Sequence, residues 1–226
     1  SRGLGDVYKR QLCSIANAKP ASGLTQNLTR ANTRKLAEKR GAGWEQAYAA
    51  TVCASALLML VEYATFNMQS VIGMGNVSKT DDGATSMTEI TGATVNLGNA
   101  SGAVINDNGI NIVSYRGEEN FWGDIWAWVD GINHYANSTT GECDTYIADH
   151  GFVDDSGASP YVNAGISAKY GNGYVSAFCY SEAFDWLFIA GELIGNSSLP
   201  VGDYFWNQNG TGWRVARLGG TWGSGS

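Results

Sequence analysis

Apolar and polar positions change rhythm twice along this chain. Residues 44–69 are rich in Ala, Leu, Met, Glu and Gln and contain no Gly or Pro, which predicts an α-helix. Tyr48, Val52, Met59 and Tyr63 line one side, and Leu57, Leu60, Val61 and Ala64 line the next. A helix apolar around most of its circumference is expected in the core. A second helical rhythm runs over residues 115–131. Phe121, Ile125 and Trp128 recur at i, i+4 and i+7, and Trp122, Trp126 and Val129 repeat that spacing one residue on. This predicts a second helix whose Trp side chains serve the core rather than a ligand, with Gly131 as its left-handed C-terminal cap.

Elsewhere the pattern is that of short strands between Gly-rich turns. Residues 110–115 read as a strand, 174–180 alternate with period two, and 185–190 are nearly all apolar, as in a strand buried on both faces. Residues 146–149, 204–206, 213–217 and 221–222 complete the set. Residues 70–110 carry scattered Val and Ile among Gly, Asn, Thr and Ser. Asp81-Asp82-Gly83 and Asn106-Asp107-Asn108-Gly109 supply turn chemistry there, so irregular structure with short strands is expected. Ahead of the first helix, residues 12–40 are polar and basic, with Arg30, Arg34, Lys35, Lys39 and Arg40 on a helix-compatible stretch. They read as a solvated linker or lead-in helix, the alternative being a surface for an acidic partner.

Composition sharpens this picture. Gly accounts for 30 of 226 residues, nearly twice the usual share of about 7%, and aromatics reach 12%. Tight turns anchored by large side chains are expected. The net charge of −7 is uneven: residues 41–226 hold five Lys/Arg against nineteen Asp/Glu, a net of −14. A stretch this acidic repels phosphate backbones, so nucleic acid is not the expected partner. The most apolar run, residues 47–61, is shorter than the roughly 20 residues a membrane span needs. Cys13, Cys53, Cys143 and Cys179 form no C-x-x-C pair and are expected to be free, mostly buried thiols.

Candidate chemistry is sparse. Asp149-His150 are adjacent, and neighbours on a strand face opposite ways, which argues against a serine–histidine site. Glu118, Glu119, Asp124, Asp154, Asp155 and Glu182 offer carboxylates for glycoside hydrolysis, but nothing selects a pair. No cofactor is expected. Calcium is the alternative, with oxygens at Asn106-Asp107-Asn108 and Asp154-Asp155, yet neither follows an EF-hand loop. The positive signal is Tyr204-Phe205-Trp206-Asn207-Gln208-Asn209-Gly210-Thr211-Gly212-Trp213. Rigid aromatics flanked by amides and hydroxyls suit carbohydrate or protein recognition. The alternative is that Trp206 and Trp213 plug the core while the amides solvate a hairpin. Arg214 and Arg217, rare cations here, are three apart and so face opposite ways on a strand. One is expected to pair with a core-facing carboxylate and the other to face a ligand. The candidate binding residues are therefore Trp206, Asn207, Gln208, Asn209, Trp213, Arg214, Arg217 and Trp222.

Two helices followed by an aromatic-rich β region resemble C-type-lectin-fold proteins of the branch shared with formylglycine-generating (sulfatase-modifying) enzymes. Within it, the chain resembles tail or receptor-binding structural proteins of phages infecting gut Firmicutes. The resemblance rests on Leu60-Val61-Glu62-Tyr63-Ala64-Thr65-Phe66-Asn67, residues 115–133, Asp185-Trp186-Leu187-Phe188, Ser197-Ser198-Leu199-Pro200-Val201-Gly202-Asp203-Tyr204 and Trp213-Arg214-Val215-Ala216-Arg217-Leu218-Gly219-Gly220-Thr221-Trp222. It spans residues 41–226 and implies an α+β fold, two helices packed on short twisted antiparallel strands with Gly-rich loops. It also implies a non-enzymatic virion protein, made in the bacterial cytoplasm and homo-oligomeric, with a trimer the usual form. Its implied partners are other phage structural proteins and a host-surface glycan or protein. A patch diversified by a retroelement would follow Gly220-Thr221-Trp222. The alternative is an enzyme of the sulfatase-modifying type or a glycan hydrolase. The enzymes use a cysteine pair near the C-terminal end, and here Cys179 is the last cysteine. Asp6-Val7-Tyr8-Lys9-Arg10-Gln11 resembles a translated sequencing-library adapter, so residues 1–11 are read as an assembly scar. Residues 41–226 are read as one domain cut short at its C-terminus.

Overall fold

Strands dominate the computed structural model, which describes residues 3–5, 11–13, 17, 28–77, 90–106, 109–208 and 210–220. The class is α+β. The helices are α1 (Arg30–Glu38), α2 (Ala49–Tyr63) and the single turn α3 (Met68–Val71). The strands are β1 (Gly3–Gly5), β2 (Gln11–Cys13), β3 (Gly102–Ile105), β4 (Asn111–Tyr115), β5 (Glu118–Glu119), β6 (Ala127–Asn137), β7 (Glu142–Ile147), β8 (Val162–Lys169), β9 (Gly171–Tyr174), β10 (Ala177–Tyr180), β11 (Phe188–Glu192), β12 (Tyr204–Asn207) and β13 (Gly212–Leu218). Besides the β1-β2 pair they form a three-stranded sheet β3-β4-β5, a four-stranded sheet β13-β6-β7-β8 and two ribbons, β10-β11 and β12-β9. The chain divides into two compact units, residues 1–46, 68–128 and 217–226 in one and 47–67 and 129–216 in the other.

In the first unit, Ile112, Val113 and Tyr115 of β4 are buried, as are Ile110, Ile72 and Val77. The strand expected at 110–115 is present. Gly73 lies so close to this sheet that a Cβ would stand 2.6 Å from the Ala103 Cβ. The Glu119 carboxylate accepts from the Gly92 and Thr94 amides at 2.8 and 2.9 Å and from the Thr94 hydroxyl at 2.6 Å, pinning the turn before Val95–Leu97. Thr29 caps α1 through the Asn32 amide, and Arg30, Thr33 and Ala37 of that helix are buried, so its Arg30 face is not the solvated one the basic composition suggested.

The second helix predicted over 115–131 does not form. Arg116, Asn120 and Asp124 have positive φ (49, 54 and 65°), as do Gly117 and Gly123, and no right-handed helix passes through such residues. The aromatics are held by other bonds. The Trp122 indole donates to the Gly73 carbonyl at 3.1 Å, and the Trp128 indole to the Leu28 carbonyl at 2.6 Å. Asp124 is buried, with the Asn76 amide on its carboxylate at 3.0 Å. Residues 127–137 continue as β6, the longest strand. Dense aromatics matched helical spacing by accident.

The second unit is built on β6 and β7. Ile132, His134 and Ala136 stand opposite Ile147, Thr145 and Cys143, so alternation puts these six on one face. Four of the six belong to the hydrophobic core, where Ala164, Ala168, Leu187, Ile189, Val129 and Ala49 also cluster. The other two, His134 and Thr145, are buried as a polar pair, the His134 Nδ1 3.0 Å from the Thr145 hydroxyl. Helix α2 begins later and ends earlier than its composition predicted. The Thr51 hydroxyl accepts the Tyr48 amide at its start, and Ala64 closes it in the left-handed region. It is also not a core helix. Only Ala49 and Met59 are buried, and Leu58 and Val61 are 58% and 83% exposed. One side of the helix packs, through Ala49, Val52 and Cys53.

Strand boundaries also differ from expectation, and the strand expected at 146–149 proves to be the end of β7, which runs from Glu142 to Ile147. Residues 174–180 do not make one strand. Val175 donates to the Asp203 carbonyl and Ser176 to the Glu192 carbonyl, so the chain changes partner there, from β12 to β11. Strand β11 starts at Phe188 because the Leu187 amide closes a turn onto Phe184, and Phe188 is 43% exposed, so this strand is not buried on both faces. Strand β8 went unforeseen, its Gly-, Ala- and Asn-rich sequence carrying little apolar signal.

Gly131, expected as a helix cap, lies instead within β6 at φ 71°. A Cβ there would stand 2.5 Å from the Ala148 carbonyl oxygen, 3.2 Å from the Phe152 ring and 3.4 Å from the Tyr48 Cβ. Gly165 in β8 has nearly the same φ, 69°, with nothing within 4 Å of such a Cβ. The two glycines separate backbone strain from close approach. Gly165→Ala is expected to cost about 1 kcal/mol, the left-handed penalty. Gly131→Ala is expected to cost about 3 kcal/mol, strain plus overlap, read as the shift in urea midpoint. Equal costs would contradict the close approach.

Candidate functional site

Tyr204, Trp206 and Gln208 alternate along and just past β12, so they leave one face of the strand while Phe205 and Asn207 leave the other. The accessibilities follow: Tyr204 and Trp206 are 56% and 51% exposed, and Asn207 is buried. Strand β9 pairs antiparallel, with Tyr204 opposite Tyr174 and Trp206 opposite Asn172. Directly opposed residues share a face. The outward face of this ribbon therefore carries Tyr174, Tyr204, Trp206, Asn172 and Gln208.

These side chains are organised. The Gln208 amide donates to Asn172 Oδ1, and Asn172 Nδ2 donates to the Tyr204 hydroxyl at 2.8 Å. The Tyr174 and Tyr204 rings meet edge to face, centroids 5.1 Å apart. On the inner face Phe205 packs against Val175, Ala190, Val201 and Leu193. Gly173, opposite Phe205, leaves no room for a side chain, since a Cβ would lie 2.5 Å from the Leu193 carbonyl oxygen. That contact fixes which way the ribbon faces.

The loop that carries the chain from β12 in the ribbon to β13 in the four-stranded sheet is clamped by Arg214. Its guanidinium donates to the carbonyls of Gly210 at 2.7 Å, Trp213 at 2.8 Å and Gln208 at 3.3 Å. The Tyr170 hydroxyl accepts the Gly210 amide at 2.9 Å, and the Thr211 hydroxyl accepts the Ser138 amide at 3.1 Å. Trp213 packs between Tyr135 and Tyr146, at 5.2 and 5.3 Å. Those tyrosines occupy the face of β6 and β7 opposite the Ile132 face. Gly157 closes the cluster, a Cβ there falling 2.6 Å from the Tyr146 ring.

The predicted binding residues thus separate. Trp206 and Gln208 face solvent together. Asn207 points inward beside the Cys143 thiol, with neither amide atom in an ordinary hydrogen bond. Trp213 and Arg214 hold the loop between β12 and β13. Arg217, in the other unit, lies over the Trp126 and Trp128 rings at 4.9 and 5.4 Å. Asn209 and Trp222 lie outside the described residues, as do Asp107 and Asn108 of the calcium alternative. Residues missed were Asn172, Tyr174 and Tyr204. The period-two array Tyr204-x-Trp206-x-Gln208 was a legible signal for the last.

Catalytic alternatives place differently. Asp149 and His150 follow the end of β7 in a bend, not on a strand, so they do meet, Oδ1 to Nδ1 at 2.5 Å. That bond lowers the Asp149 carboxyl below its usual range. Both side chains are largely exposed, which denies the pair the water-excluded setting that makes such a dyad a strong base. Glu119 and Asp124 are engaged with the backbone and Asn76 as described above. Among the described residues no three His, Cys, Asp or Glu side chains gather as a metal site, and no helix is long and apolar enough to cross a membrane. Cys53, Cys143 and Cys179 are free thiols. The sequence matches no protein-family model, no curated protein and no solved structure.

Burial pushes the Cys53 and Cys143 thiols from 9.0 up to about 11, so both stay protonated at neutral pH and are slow nucleophiles. The folded state holds these protons more tightly than the unfolded state. Their contribution to stability is therefore complete below about pH 9 and lost as pH rises toward 11. The urea midpoint is expected to fall through that window, and to fall less steeply in a Cys53→Ala/Cys143→Ala variant. An unchanged slope would contradict the assignment.

Proposed function

We propose that this chain is a non-enzymatic ligand-binding protein of the C-type-lectin-like type, serving as a structural component of a phage tail tip that recognises a glycan or protein on the host surface. The observation that carries the reading is the outward face of the β9–β12 ribbon. Tyr204 and Trp206 are exposed to solvent, and Tyr204 is held in place by Asn172 and the Tyr174 ring. Trp and Tyr are enriched among the anchor residues of binding surfaces. The closing segment Trp213-Arg214-Val215-Ala216-Arg217-Leu218-Gly219-Gly220-Thr221-Trp222 and the α+β class support the lectin-like assignment. Such sites are weak singly, and repetition of the chain around a tail tip raises avidity without new contacts.

The test is adsorption of the full chain to a panel of gut Firmicutes cells. Wild type is expected to bind at least one strain. Trp206→Ala is expected to weaken binding by about tenfold or more, as loss of an anchor side chain does, with an unchanged melting temperature. Equal binding by the variant, or release of sugar from the cells, would overturn the proposal.

A further inference from the structure

We propose that the outward face of β9–β12 takes a neutral pyranose, held by side chains alone and without a bridging metal ion. This rests on the ligand-binding reading above and names its ligand class. The face carries two phenols, one indole and two carboxamides. Neither β9 nor β12 contains a charged residue, so no charged side chain of either strand reaches the face. Nearby Arg214 directs its guanidinium to carbonyls at positions 208, 210 and 213 of its own loop.

Each group matches a part of a sugar. The electron-rich face of Trp206 suits the C–H side of a pyranose ring, whose hydrogens carry partial positive charge. Sugar hydroxyls both donate and accept, as carboxamides and phenols do, whereas a carboxylate only accepts. The Tyr204 hydroxyl accepts from Asn172 and keeps its own proton to donate. Gln208 gives one N–H to Asn172 and keeps its carbonyl oxygen and second N–H. Because Gln208, Asn172 and Tyr204 already hold one another, little side-chain freedom is lost on binding.

Charge excludes the competing classes. An anionic sugar or a phosphate polymer would meet a stretch of net charge −14 with no cation on this face to offset the repulsion. Calcium-mediated capture requires six to eight oxygens, carboxylates prominent among them, and this face offers amide and phenol oxygens only.

The experiment is a glycan array carrying terminal glucose, galactose and N-acetylglucosamine beside sialylated and phosphorylated glycans. The full chain is applied with and without EDTA and at low and high salt. Binding to a neutral glycan is expected, unchanged by EDTA or salt, and reduced by about tenfold in Trp206→Ala and in Asn172→Ala. Saturation-transfer NMR on the wild-type protein with the methyl glycoside of the bound sugar keeps the test independent of how the variants fold. Its ring C–H protons are expected to receive the strongest transfer. Binding only to anionic glycans, or binding abolished by EDTA, overturns the neutral-pyranose proposal and leaves the ligand-binding reading standing. Cell adsorption that needs Trp206 without any glycan signal does the same, and points to a protein ligand. Absence of both cell and glycan binding overturns the two together.

Discussion

A backbone approach that only glycine permits governs the unit on which the candidate site sits. At Gly131 the strand β6 turns through a left-handed residue, and the Ala148 carbonyl oxygen, the Phe152 ring and Tyr48 crowd the space a side chain would fill. The Gly131 carbonyl accepts the Ala148 amide, and the neighbouring Asp130 amide donates to the Ala47 carbonyl. The exit from β7 and the entry to α2 are thus tied to one point of one strand. With larger residues there, the helix and the sheet would compete for the same volume, and close packing leaves no slack to share.

From that point the order propagates outward by alternation. One face of β6 and β7 supplies the buried Ile132–Ile147 and Ala136–Cys143 pairs. The other supplies Tyr135 and Tyr146, which grip Trp213. Trp213 and Arg214 shape the loop before β13, that loop leads back into β12, and Phe205 and Gly173 decide that Trp206 faces water. A binding surface needs rigidity more than stability in its own right, because every rotamer frozen beforehand is one that the ligand need not freeze.

How far this was readable from the chain depends on whether the information is local. Helix α2, strand β4 and the strands around Trp206 and Trp213 follow from composition and period, and they were legible. Residues 121–129 show the limit. Their aromatics repeat at helical spacing, but Asn120 and Asp124 adopt positive φ and the indoles of Trp122 and Trp128 reach carbonyls 49 and 100 residues away. Tertiary bonds decided what periodicity could not. The site divides the same way. Trp206 and Gln208 were legible as candidates from their composition, without the face they share, whereas Asn172 and Tyr174 enter only through strand pairing across some thirty residues, which no local pattern records. Asn207 looked like a ligand amide and is buried because strand parity turns it inward. The exposed Leu58 and Val61 of α2 were not legible either, since a helix apolar all round does not declare which side will pack.

The central claim is that the ribbon is formed before any ligand arrives. Amide hydrogen exchange on the ligand-free full chain tests it most directly. The account expects the amides of β9 and β12 to be protected together with those of β6 and β7, as one cooperative unit. Ribbon amides exchanging at the rate of an unstructured chain, while β6 and β7 remain protected, would contradict it.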